Sequence, residues 1–141
     1  MWSLLSFQSL HLLLSLLLSL LFLTSADLGT ASSYGPPYLP TACHGADQGQ
    51  FPPDDLFAAG GDAIWDNGAS CGRQYLVRCL SSITPGACIV GQRVQVTIVD
   101  HATTLNSMPS KNSTTLVLAD RAFVNIAKLS AASINIEFTQ V

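Results

Sequence analysis

The chain has 141 residues, with six Lys and Arg against nine Asp and Glu and a formal net charge of −3. That balance leaves no polycationic stripe and excludes a nucleic-acid partner. Beyond residue 26 there are no heptads, internal repeats or low-complexity tracts, which excludes coiled-coil and solenoid architectures.

Residues 1–26 read as an export signal. Met1-Trp2-Ser3 leads into blocks of leucine and serine up to Leu23, with Phe22 and no Asp, Glu, Lys or Arg. Thr24-Ser25-Ala26 then places small residues ahead of a cleavage site. The basic start of such signals is missing, and only the amino terminus and His11 offer positive charge. A membrane anchor is the rival reading, but it would carry many serines and lacks flanking Lys or Arg. The expected cut follows Ala26. It leaves one extracellular domain, residues 27–141, large enough for a modest core.

Gly29 to Tyr34 reads as a short strand, ended by Gly35-Pro36-Pro37 because two prolines cannot serve a sheet interior. Residues 40–62 are rich in Gly, Pro, Asp and Gln and read mainly as loop, with Leu56 to Ala59 as a buried turn. Ala63 to Cys79 reads as a hub. Asn67-Gly68 is a turn signal because both residues tolerate positive φ, and Gly72 marks a sharp bend. Tyr75, Val77 and Cys79 alternate with Leu76 and Arg78 as a strand. Ser81 to Gly91 is loop around Pro85-Gly86. From Gln92 to Asp100, Val94, Val96 and Ile98 alternate with Arg93, Gln95 and Thr97. Residues 101–114 are polar loop and hold the one glycosylation sequon, at Asn112. Leu116-Val117-Leu118 is a short buried strand. Ala119 to Leu129 has helical spacing, with Ala122, Phe123, Ile126 and Leu129 on one side. Ile134, Ile136 and Phe138 alternate in a last strand. Short strands, long loops and one helix predict a mainly β chain, a small barrel.

Four cysteines in an exported chain of this size read as two disulfides, for which three pairings exist. A zinc site is the alternative, but Cys43, Cys71, Cys79 and Cys88 are 28, 8 and 9 residues apart and form no Cys-x2-Cys knuckle. His44 and His101 lie far apart in sequence. No metal and no cofactor is expected.

Several stretches match one family in order: Gly29-Thr-Ala-Ser-Ser-Tyr-Gly35, Ala42-Cys-His-Gly45, Ala63-Ile-Trp-Asp-Asn-Gly68, Cys71-Gly-Arg-Gln-Tyr-Leu-Val-Arg-Cys79, Val94-x-Val-x-Ile-Val-Asp100, Ala122-Phe123 and Ile134-Asn-Ile-Glu-Phe138. Across nearly the whole of residues 27–141 the chain resembles the plant natriuretic peptides, also described as proteins with an expansin-like, family-45 endoglucanase-like domain related to barwin.

The resemblance implies a six-stranded double-psi β-barrel with a short helix near the C-terminus. It implies a secreted, apoplastic, monomeric, non-enzymatic protein that affects water and ion balance through a plasma-membrane receptor. A non-hydrolytic binder of cell-wall polysaccharide, like the first domain of expansins, is the alternative. The second, carbohydrate-binding domain of expansins is not expected, because the chain ends directly after the last strand. Carried over, the family's bridges pair Cys43 with Cys71 and Cys79 with Cys88. A third bridge would begin where this chain has Ala102, so the loop 101–114 is expected to be mobile.

In the related expansins a Tyr, an Asp and a second Asp line an open groove. Tyr34 and Asp100 match the first two, and the third position falls on Val117. Hydrolysis by inversion needs two carboxyl groups about 6.5–9.5 Å apart, and valine supplies none. Asp120 is expected in a first helical turn and Glu137 on an outward strand face, so neither replaces it. Trp65 is a groove-lining candidate, with a buried role as brace of the hub beside it. Arg73 and Arg78, near the hub turn, are candidate receptor contacts.

Overall fold

The computed structural model describes residues 2–22, 26–105 and 114–141, and the side chains of the first segment over 6–18. Helix α1 (Trp2–Phe22) precedes the folded domain, and its leucines over 6–18 are exposed. No helix among the described residues is long and apolar enough to cross a membrane. The expected cleavage point falls in the link between α1 and the first strand.

Six strands follow: β1 (Asp27–Tyr34), β2 (Phe57–Gly60), β3 (Gln74–Ser81), β4 (Val94–His101), β5 (Leu116–Ala119) and β6 (Ile134–Gln140). They close into a barrel in the order β1-β5-β2-β4-β3-β6. β1 runs parallel to β5 and β2 parallel to β4, while the other four pairings are antiparallel. Closure removes the edge that an open sheet would expose to other chains. The alternation read from β4 and β6 holds: Val94, Val96, Ile98, Ile134, Ile136 and Phe138 point inward, where Leu116, Leu118, Phe123 and Ile126 complete the core. Side chains fill the interior, as expected of so small a barrel.

The hub folds as its residues dictate. Asn67 and Gly68 sit at φ 52° and 91°, and Gly72 at 84°. Gly61, just ahead of the single-turn helix α2 (Asp62–Trp65), is required by close approach. Its N–H donates to Thr115 O at 2.8 Å, and a Cβ there would lie 1.9 Å from Thr114 O. The bridges are Cys43–Cys71 and Cys79–Cys88.

Two expectations change. Leu56 to Ala59 is no turn; Phe57–Gly60 is strand β2, buried on both sides. A strand covered on both faces shows no alternation, so period two had nothing to reveal. The helix expected over 119–129 shrinks to α3 (Asp120–Phe123). Beyond it the Ile126 carbonyl accepts the Ile89 N–H at 2.8 Å and Ala127 pairs with Cys88. The disulfide loop thus takes the hydrogen bonds that would extend the helix. Ala122, Phe123 and Ile126 are buried as the spacing predicts, and Leu129 is exposed.

Candidate functional site

A bulge aims the central carboxyl group. Ala58 pairs with Ile98, but Ala59 pairs with Asp100, so Val99 is an extra residue in β4. Such an insertion redirects the side chains beyond it. Ile98 points into the barrel, whereas Val99 belongs with Ala59 to a second cluster outside it. Across the next strands Ala59 faces Val117, and Val117 faces Ser32. Asp100, Ala59, Val117 and Ser32 therefore form one row, with Tyr34 two residues along β1 from Ser32. The sequence resemblance had brought Tyr34, Asp100 and the Val117 position together, and the fold places them on one face.

That face is covered. Tyr34 is 3% exposed and Asp100 4%. The loop after β1 folds back over them with Tyr38 and Phe51, which pack on Tyr34 and Phe57. Tyr38 meets Tyr34 edge-on at 5.2 Å and Phe57 at 4.8 Å, the favoured geometry for aromatic pairs. Asp100 ties this cover down. Its Oδ1 accepts from Ala42 N at 2.8 Å, from His101 N at 2.9 Å and from Thr104 Oγ1 at 3.4 Å. Beside it, Cys43 N donates to Val99 O at 3.2 Å, and Cys43–Cys71 locks the same loop to the hub. The Tyr34 hydroxyl is buried and has no hydrogen-bond partner among the described residues. Burial, then the charge of Asp100, then Tyr38, hold its phenol well above the ordinary range.

Trp65 stands at the rim, half-buried. Its ring lies 4.4 Å from the His101 ring at an interplanar angle of 2°. His101 Nε2 is 2.8 Å from Asp62 Oδ1. One indole face is thus occupied by an imidazole, and the ring also packs at the border of the core. Asp62 was not legible as a site residue. Only the pairing of Gly60 with His101 brings it there.

The remaining candidates disperse. Val117 is buried. Asp120 opens α3 and lies against Gly35, at the far edge of the aromatic cover. Glu137 holds Arg78 through both carboxylate oxygens at 3.0 Å on the outer barrel face, and that hydrogen bonding lowers its pKa. Arg73 pairs with Asp66 at 2.9 Å. Ala102, the missing-bridge position, is buried in the aromatic cluster. Asn112 and most of the loop expected to be mobile lie outside the described residues. Residues 106–113 contain no Asp or Glu. Among the described residues, no three His, Cys, Asp or Glu side chains gather as metal ligands.

The double-psi β-barrel family model described as lytic transglycolase matches residues 57–138. An EG45-like domain containing protein of Citrus jambhiri is 38% identical over 118 residues, which is 82% of each chain. The chain belongs to the EG45-like domain family. EG45-like domain containing protein 2 of Arabidopsis thaliana is 31% identical over 121 residues, 84% of each chain. Among solved structures, a mutant Clavibacter michiganensis expansin in complex with cellohexaose superposes with a TM-score of 0.59 at 18% identity. The apo form of that expansin gives 0.58. At this identity the likeness shows the fold. The EG45-like chain spans 82% of its own length in the match but only 50% of the expansin chain.

Proposed function

We propose that this EG45-like chain is a secreted, non-hydrolytic binding protein of the plant extracellular space, acting on water and ion balance by engaging a partner as the plant natriuretic peptides do. One observation carries the reading: Asp100 is buried and bonded to two backbone amides, and its row continues into Ala59 and Val117. General acid–base help from one group is worth about 10²–10⁴-fold, well short of what glycoside cleavage demands. The leucine–serine composition of α1 and the small residues at 24–26 support export and removal of the segment. A cut after Ala26 would free the chain at the first residue of β1.

A second reading, non-hydrolytic binding of cell-wall polysaccharide, is favoured by the cellohexaose complex of the expansin neighbour. Its contact surface here would be the rim of Asp62, His101 and Trp65, because Tyr34 and Asp100 lie under the cover.

The test is reducing-sugar release from soluble and amorphous β-glucans by the secreted chain, first sequenced to establish its start at Asp27, beside Asp100→Asn. Both proteins are expected to stay at the buffer background. Release by wild type well above the variant would show that another carboxyl completes a pair.

A further inference from the structure

The end of the barrel opposite Asp100 carries a surface that the reading above leaves unused. Arg93, just before β4, is seven residues from Asp100, which at about 3.3 Å per residue is roughly 23 Å along the strand. A cavity of about 270 Å³ opens there. Arg78 and Arg93 stand at it, the Cys79–Cys88 bridge lies along it, and Leu80 and Val90 line it. A shallower depression shares both arginines with Glu137.

Three features distinguish this surface. First, basic residues outnumber acidic ones here. Residues 67–99 contain no Asp or Glu and three of the six basic residues, in a chain whose net charge is −3, and the carboxylate of Glu137 at this face is engaged by Arg78. Second, the guanidinium of Arg93 makes no ion pair among the described residues, whereas Arg73, Arg78 and Arg121 each face a carboxylate. Third, the loop exposes aliphatic side chains: Val90 is 92% exposed, Ile83 97% and Leu80 41%. The Cys79–Cys88 bridge ties the end of β3 to the segment that leads into β4, and so brings the Leu80 and Val90 stretches to one cavity.

We propose that this cavity is a docking site for an acidic peptide segment of a protein partner, with a carboxylate on Arg93 and an aliphatic side chain between Leu80 and Val90. An open guanidinium beside apolar surface suits such a segment, because the carboxylate gains a two-pronged donor and the neighbouring side chain leaves water. An acidic polysaccharide would use the arginine too, but sugar rings are held on aromatic faces, and the lining of this cavity has none. The site names a partner class for the proposed binding function and does not depend on whether Asp100 is catalytically idle, so each can fail without the other.

The probe is the blocked peptide Glu-Leu-Glu-Leu-Glu, titrated into the nitrogen-labelled, oxidised chain recovered from a secreting host and followed by amide NMR shifts. Shifts should concentrate at Leu80, Val90 and Arg93 and leave Asp100 and His101 unmoved. Arg93→Glu should weaken binding by about tenfold or more, and Val90→Asp, a fully exposed position that does not threaten folding, should weaken it as well. Arg121→Glu, at an arginine that does not line this cavity and stands by Asp54 and Asp55, should bind like wild type. Three results would overturn the proposal: no shifts in residues 78–93, equal affinity of the Arg93→Glu chain, or oligogalacturonate binding at this cavity in place of the peptide.

Discussion

The two ends of β4 are built on opposite principles. At the Asp100 end the central polar group is buried and bonded: the carboxylate receives backbone amides, a disulfide clamps the loop above it, and aromatic rings close the cover. At the Arg93 end the guanidinium has no ion-pair partner among the described residues, the aliphatics face solvent, and a disulfide closes the loop that carries Leu80. A buried, satisfied carboxylate is a means of holding structure. Exposed apolar side chains around an unpaired cation are a means of holding a partner. The Asp100 position, from which the resemblance would draw chemistry, is bonded into the fold in this chain, and the proposed docking site lies at the other end of β4.

The largest effect should separate the two disulfides. Replacing Cys43 and Cys71 by Ser removes a crosslink across 28 residues, worth about 3–4 kcal/mol in the chain-entropy account. The same change at Cys79 and Cys88, across 9 residues, should cost roughly 2.5–3 kcal/mol. Either is a large share of the total of about 5–15 kcal/mol for a domain. Urea unfolding of both double variants checks the ranking. An equal or reversed order would mean that the cover over Asp100 is not held by its bridge.

A smaller effect concerns the unsatisfied hydroxyl of Tyr34 beside Asp100. The folded pKa of Tyr34 lies above its unfolded value, so its contribution to stability is complete below about pH 10 and is lost as pH rises toward the folded value. Tyr34→Phe removes a buried hydroxyl without a partner and should gain roughly 1 kcal/mol. It should also flatten the loss of stability between about pH 9 and 11. Thermal melts across that range decide the matter, and a destabilised variant would reveal a bond to the hydroxyl.

Much of this was legible in residues. The alternation at 94–98 and 134–138 wrote two strands directly, and the Asn67-Gly68 and Gly72 signals fixed the hub. The resemblance supplied both disulfide pairings and the absence of a carboxyl at Val117. Burial on both sides hid β2, and competition from the disulfide loop for the Ile126 carbonyl hid the early end of α3. The cover over Tyr34 and Asp100 was illegible because it depends on contacts distant in sequence, such as Ala42 with Asp100, 58 residues apart. The same holds for Asp62, which reaches His101 only through strand pairing. Arg73 and Arg78 stood out near a turn, but both have partners; Arg93 is set apart by lacking one, which no pattern of spacing announces.

Thermal unfolding of Asp100→Ala beside Arg93→Ala, with wild type as reference, tests the contrast most directly. Asp100→Ala leaves the Ala42 and His101 amides without their acceptor and should cost at least about 2 kcal/mol, a fall of roughly 8 °C or more for a domain of this size. Arg93→Ala should stay within about 0.5 kcal/mol of wild type, as exposed substitutions do. An Asp100→Ala chain that melts with wild type while losing ligand binding or sugar release would contradict the account.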